Sequence, residues 1–122
     1  MPDYRQLTQG ISSSMAGLRQ DIPEVMKGFS ALAHAATQNG ALDKKTKELI
    51  ALAIGVAVRC DGCIGFHMQA LLKLGASKAE IEETLGMAVY MGGGPSLMYA
   101  AKMSAAFDEF TAATAAAAPA SA

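Results

Sequence analysis

"KKTKELIALAIGVAV", residues 44 to 58, decides the fold. Its apolar block, Leu49 to Val58, can be read as a buried strand or as a helix buried nearly all round. Its length, its Ala and Leu content and the polar run Lys44, Lys45, Thr46, Lys47 favour the helix. Asp43 stands just before that run, where a carboxylate accepts from the unpaired N–H groups of a first helical turn. With this block helical, no other segment carries a strand or hairpin signal of comparable weight, and the chain reads as all-α.

Working towards the N-terminus, Tyr4, Leu7, Ile11 and Leu18 recur at helical spacing and mark a first helix. Asp21 and Pro23 read as the start of a second, with Val25, Phe29, Leu32 and Ala36 along one face. "QNG" (38–40) ends it, with Gly40 as a left-handed cap. Towards the C-terminus, the third helix should stop near Arg59, and Gly62 eases a sharp turn. A fourth runs from about Cys63 to Leu74 and closes at Gly75. "SKAE" (77–80) has the form of a capping box, with Ile81, Leu85 and Ala88 on the inner face that follows. "GGGP" (92–95) breaks the chain, Pro95 suits a first helical turn, and Tyr99, Met103, Ala106 and Phe110 form the last stripe. The expectation is a single-domain bundle of about six helices over residues 1–110, followed by an Ala-rich tail over 111–122.

Composition narrows the function. Apolar residues make up 52% of the 122-residue chain and charged ones 17%, against about 25% charged in ordinary soluble domains. That surplus of apolar surface predicts a homo-oligomer. The net charge is −1 and no basic stripe is present, which argues against a nucleic-acid partner. The N-terminal stretch has no apolar signal-like core, and no apolar run approaches the ~20 residues that a bilayer requires. A cytoplasmic protein with no membrane partner is expected. In that compartment a close cysteine pair is catalytic or metal-binding more often than structural.

The chemistry lies in "VRCDGCIGFHMQ" (58–69). A helix beginning near Gly62 puts Cys63 in its first turn, where unpaired N–H groups and the helix dipole favour a thiolate. Cys60, three positions back, is within reach for a disulfide. His67, four positions on, shares a face with Cys63 and can exchange protons with it. Two other readings stay open. The thiols could be inert core. Alternatively Cys60, Cys63 and His67 could hold zinc, with Glu48, Asp61 or water as fourth ligand. His34 lies in an earlier helix with no paired ligand. Ile64 after Cys63 excludes a C-x-x-C-H haem site, and the lack of a βαβ pattern excludes a thioredoxin-type fold.

Glu48, eleven residues, Cys60, two residues, Cys63, three residues, His67: this spacing, with the segment "GASKAEIEETLGMAVYMGGGPSLMYA", resembles the alkyl hydroperoxidase D-like family of the carboxymuconolactone decarboxylase superfamily. The resemblance covers about residues 22 to 110. It implies an all-helical fold assembling as trimers or hexamers, and thiol-dependent peroxidase activity with no metal or organic cofactor. It also implies roles. Cys63 would attack the hydroperoxide, Cys60 would resolve the sulfenic acid to a disulfide, and Glu48 and His67 would relay protons. A thiol reductant, in one branch a lipoyl-bearing protein, would restore the dithiol. Gly62 stands where that branch has a histidine, and the chain has one copy of the helical unit. The lactone decarboxylases of the superfamily lack the cysteine pair, which argues against lyase activity here. Glu48 also poses a geometric problem. Twelve helical residues, about 18 Å, separate it from Cys60, so a proton relay needs crossed helices, a bend, water or another subunit.

Overall fold

The computed structural model describes residues 3–117, which form six helices and no strand. They are α1 (Tyr4–Asp21), α2 (Pro23–Ala36), α3 (Lys44–Ala57), α4 (Asp61–Lys73), α5 (Lys78–Gly92) and α6 (Gly94–Ala117). Helix α3 packs on α4 and α5, α6 closes over all three, and α1 crosses α4 and reaches α6. Helix α2 packs on α1 alone.

The deciding stretch is indeed a helix, and its buried positions show how it works. Glu48, Leu52, Gly55 and Val56 are buried, one stripe at steps of four, three and one residues. Asp43 caps it by accepting the Thr46 N–H at 2.8 Å. The expectation that α3 is covered nearly all round is corrected. Ile50, Ile54 and Val58, on its other side, are 45%, 57% and 65% exposed, because no element of the protomer lies over them.

The core joins Leu52 and Val56 of α3 to Ile64, Met68 and Leu71 of α4, Ile81 and Leu85 of α5, and Met103, Ala106 and Phe110 of α6. Each large aliphatic side chain withdrawn from water in this way contributes about 1.5–3 kcal/mol. The capping box forms as read, Ser77 Oγ accepting from Glu80 N–H and Glu80 Oε1 from Ser77 N–H.

Several boundaries differ from the sequence reading. Asp21 ends α1, and Ile22 stands at the N-cap of α2 with no side-chain bond, so that start rests on Pro23 and on the Glu24 carboxylate in the first turn. Gly40 is not left-handed. Helix α2 stops at Ala36, where the Thr37 hydroxyl takes over by donating to Ala33 C=O at 2.8 Å. Helix α4 begins at Asp61, two residues before Cys63. The Ala-rich stretch is helical as far as Ala117, and residues 118–122 lie outside the described residues. The apolar face of α2 finds no cover either: Val25, Phe29 and Leu32 are 64%, 66% and 65% exposed.

Candidate redox site

The turn between α3 and α4 builds the site. Helix α3 ends in a Schellman motif: Cys60 N–H donates to Gly55 C=O at 2.9 Å and Arg59 N–H to Val56 C=O at 3.2 Å. That motif needs a left-handed residue, and Arg59 supplies it with φ of 61°. The same device ends α4, where Gly75 takes φ of 77°. The reversal at Arg59 delivers Cys60 to the N-cap of α4.

Cys60 and Cys63 are joined as a disulfide, with their Cα atoms 5.2 Å apart. Cys60 Sγ also accepts the Cys63 N–H at 3.1 Å, so the sulfur sits where capping oxygens usually sit. The positive end of α4 thus faces both sulfurs, which favours thiolate over thiol once the bond is reduced. Helix α3 comes close enough to touch the pair because residue 55 is glycine. A Cβ there would lie 3.1 Å from Cys63 Cβ.

Glu48 and His67 meet directly. Glu48 Oε2 lies 2.6 Å from His67 Nδ1. The carboxylate is 8% exposed and the imidazole 31%, so the acid is inside and the ring reaches out. With the carboxylate as acceptor, Nδ1 carries the proton and Nε2 is left to exchange one. The geometric problem of Glu48 resolves through register. Glu48 and Gly55 lie two turns apart on one face of α3, and His67 and Cys63 one turn apart on the facing side of α4. Glu48 does not bond the sulfurs. It orients His67, which stands one turn from Cys63.

Gly62 also has a physical reason. A Cβ at residue 62 would lie 3.0 Å from Ile11 Cδ1 of α1. Helix α1 therefore occupies the space that a larger side chain between the cysteines would need. Gly65, one turn on, allows the same approach: a Cβ there would fall 2.5 Å from Thr8 Cγ2 and 3.7 Å from Tyr4 Cδ1.

Asp61, which the sequence marks only as a possible zinc ligand, is bound on two sides. Tyr4 Oη donates to its Oδ1 at 3.3 Å, and Lys102 Nζ lies 3.9 Å from the same oxygen. Burial, and then the Asp61 charge, hold the Tyr4 phenol well above its usual range. Its closeness to the cysteines was the one available signal. Among the described residues, no three His, Cys, Asp or Glu side chains converge as a metal site. His34 lies in α2, where its ring bonds the Gln38 amide.

Comparison with known proteins agrees with this architecture. The model of the carboxymuconolactone decarboxylase family matches residues 23–106. The chain belongs to that family. A carboxymuconolactone decarboxylase family protein from Legionella pneumophila, solved in the apo form, superposes with a TM-score of 0.87 at 61% identity, covering 88% of this chain and 96% of that one. A family member from Thermotoga maritima, for which involvement in an antioxidative response has been suggested, gives a TM-score of 0.70 at 33% identity over 75% and 94% of the two chains. An uncharacterised protein of Cupriavidus necator is 40% identical over 110 residues, 90% of this chain and 97% of its own. The all-helical fold matches that of this family's structures.

Proposed function

We propose that this family member is a small thiol-dependent peroxidase of the alkyl hydroperoxidase D-like type. The observation that carries the reading is the Cys60–Cys63 disulfide at the N-terminus of α4 with the Glu48–His67 pair one turn along. The Cys63 thiolate attacks the outer oxygen of a hydroperoxide and the O–O bond breaks. Cys63 becomes a sulfenic acid, and the departing alkoxide takes its proton from His67, which Glu48 holds in place. Cys60 then attacks the Cys63 sulfur, water leaves, and the disulfide forms. A dithiol reductant, such as a lipoyl-bearing protein, exchanges with the disulfide and returns both thiols. No metal or organic cofactor takes part. The suggestion made for the Thermotoga protein supports the same direction.

We assign assembly to further copies of this chain in the cytoplasm, as a trimer or hexamer. Val25, Phe29 and Leu32 on α2, Ile54 on α3 and Val58 at its C-cap, and Tyr90, Met91 and Met98 around the α5–α6 corner are all more than half exposed. Apolar surface of that extent is characteristic of subunit interfaces.

The test is steady-state consumption of cumene hydroperoxide with dihydrolipoamide as reductant. Wild type should turn over, and Cys63→Ser should be inactive. Full turnover by Cys63→Ser would overturn the reading in favour of chemistry that needs no thiol.

A further inference from the structure

The peroxidase reading uses Cys60, Cys63, His67 and Glu48. A second polar group adjoins the same turn and has no part in it. Asp61 lies between the two cysteines in the chain, and its carboxylate meets side chains of α1 and α6. It accepts from Tyr4 Oη of α1 at 3.3 Å and stands 3.9 Å from Lys102 Nζ of α6. Lys102 is held there from its other side, with Nζ 4.3 Å from the centre of the Tyr99 ring. Tyr4 is itself fixed. Its side chain is wholly buried, and its backbone N–H donates to Glu109 Oε2 of α6 at 3.3 Å. The Arg5 N–H donates to Glu109 Oε1 at 2.9 Å. Three helices thus place one carboxylate and one ammonium beside the redox turn.

We propose that Asp61 and Lys102 are positioning residues that set the thiol acidity and redox poise of the Cys60–Cys63 pair by opposite charges. The proposal rests on the reading that this pair cycles between dithiol and disulfide. A negative charge next to Cys60 opposes formation of thiolate at either sulfur. The Lys102 ammonium offsets that charge. The disulfide is neutral and the reduced pair is partly anionic, so whatever stabilises thiolate stabilises the reduced form and makes the disulfide more oxidising. Asp61 alone would make the pair less acidic and less oxidising, and Lys102 counteracts it. The other charged or titratable groups around the turn are Arg59 in the turn itself, whose exposed side chain is common to wild type and both variants, Tyr4 on α1, Tyr99 and Glu109 on α6, Glu48 on α3 and His67 on α4. Glu48 and His67 pair with each other on the α3 side. The Asp61–Lys102 pair lies on the α1 and α6 side.

The test measures two quantities on the full chain. One is the pH profile of iodoacetamide alkylation of the reduced protein. The other is the equilibrium of the disulfide with dithiothreitol, in which the protein gains two electrons and two protons and dithiothreitol closes to its cyclic disulfide. Asp61→Asn should raise the alkylation rate at pH 7 by about two-fold or more and shift the equilibrium towards dithiol. Lys102→Met should do the opposite, and the double variant should return towards wild type. Effects in the same direction for both single variants, or no shift in either, would overturn the proposal, since lost packing alone does not reverse sign. If Asp61→Asn does not fold, Lys102→Met decides alone, and a faster or unchanged alkylation rate overturns the proposal. A wild-type protein that does not equilibrate with dithiothreitol at all would instead refute the redox-cycling reading itself.

Discussion

Arg59 adopts a backbone conformation that costs an ordinary residue free energy, so replacing it with glycine should stabilise the protein. Its φ is 61°, at the position of the Schellman motif where Gly75 serves in the sister motif with φ of 77°. The left-handed region costs an L-residue about 1–2 kcal/mol. Glycine gives back about 0.5–1 kcal/mol through its greater freedom in the unfolded chain. The difference leaves Arg59→Gly more stable by about 0.5–1 kcal/mol. For a domain of this size that corresponds to a rise of about 2–5 °C in Tm. The mirror experiment is Gly75→Ala. Nothing lies within 4 Å of a Cβ at that position, so its cost is conformational rather than steric. It should destabilise by about 1 kcal/mol or more. Both are read by urea and thermal unfolding of the oxidised protein, followed by far-UV circular dichroism. Protein concentration is held fixed because subunit association shifts Tm. If Arg59→Gly is neutral or destabilising while Gly75→Ala behaves as expected, the reasoning fails, and the Arg59 side chain must hold the turn by contacts worth more than its backbone strain.

Three further outcomes follow from the packing and charges of the site. Gly65→Ala places a Cβ 2.5 Å from Thr8 Cγ2 and should cost about 1–3 kcal/mol in urea midpoint measurements, with Thr8→Ser recovering part of it by removing that methyl group. Tyr4 keeps its proton in the folded state beyond the pH at which an unfolded tyrosine loses it, so its contribution is intact below about pH 10 and is lost as pH rises further. Tyr4→Phe should therefore flatten the alkaline decline of stability, and absorbance at about 295 nm should show one fewer late-ionising phenol. Glu48→Ala removes the partner of His67 and should slow hydroperoxide consumption by about ten-fold or more without changing the number of titratable thiols.

Helices α1, α2, α5 and α6 were legible from apolar stripes at helical spacing, α3 from the length and composition of its apolar block, and α4 from the glycines that bound it, while the caps at Asp43 and Ser77 are side-chain signals in the sequence itself. The stripe on α2 was equally legible, yet Val25, Phe29 and Leu32 face outwards. Periodicity reports that a face is apolar, not which molecule covers it. The boundary at Cys60 was missed because a sulfur at an N-cap is rare and nothing local distinguishes it from a bend. Arg59 was missed for the opposite reason: a left-handed arginine looks in sequence like any surface arginine, and only the hydrogen bonds to Gly55 and Val56 reveal it. The meeting of Glu48 with His67 depends on the register of α3 against α4. Gly55 admits the close approach of Cys63 that goes with this register, a contact across the turn that spacing alone does not contain. Asp61 lay within the decisive stretch, but its meaning depends on Tyr4 and Lys102, 57 residues back and 41 residues ahead in the chain.

Peroxidase chemistry here requires that Cys60 and Cys63 form one redox couple with Cys63 as the attacking sulfur. Thiol counting of the reduced protein before and after one equivalent of hydrogen peroxide, with mass spectrometry of the product, tests it most directly. Two thiols should become none, with a Cys60–Cys63 disulfide as product, and Cys60→Ser should stop at a sulfenic acid on Cys63 that dimedone traps. Thiols that persist, stoichiometric zinc that shields them until a chelator is added, or a sulfenic acid forming on Cys60 of Cys63→Ser as fast as wild type reacts would each contradict it.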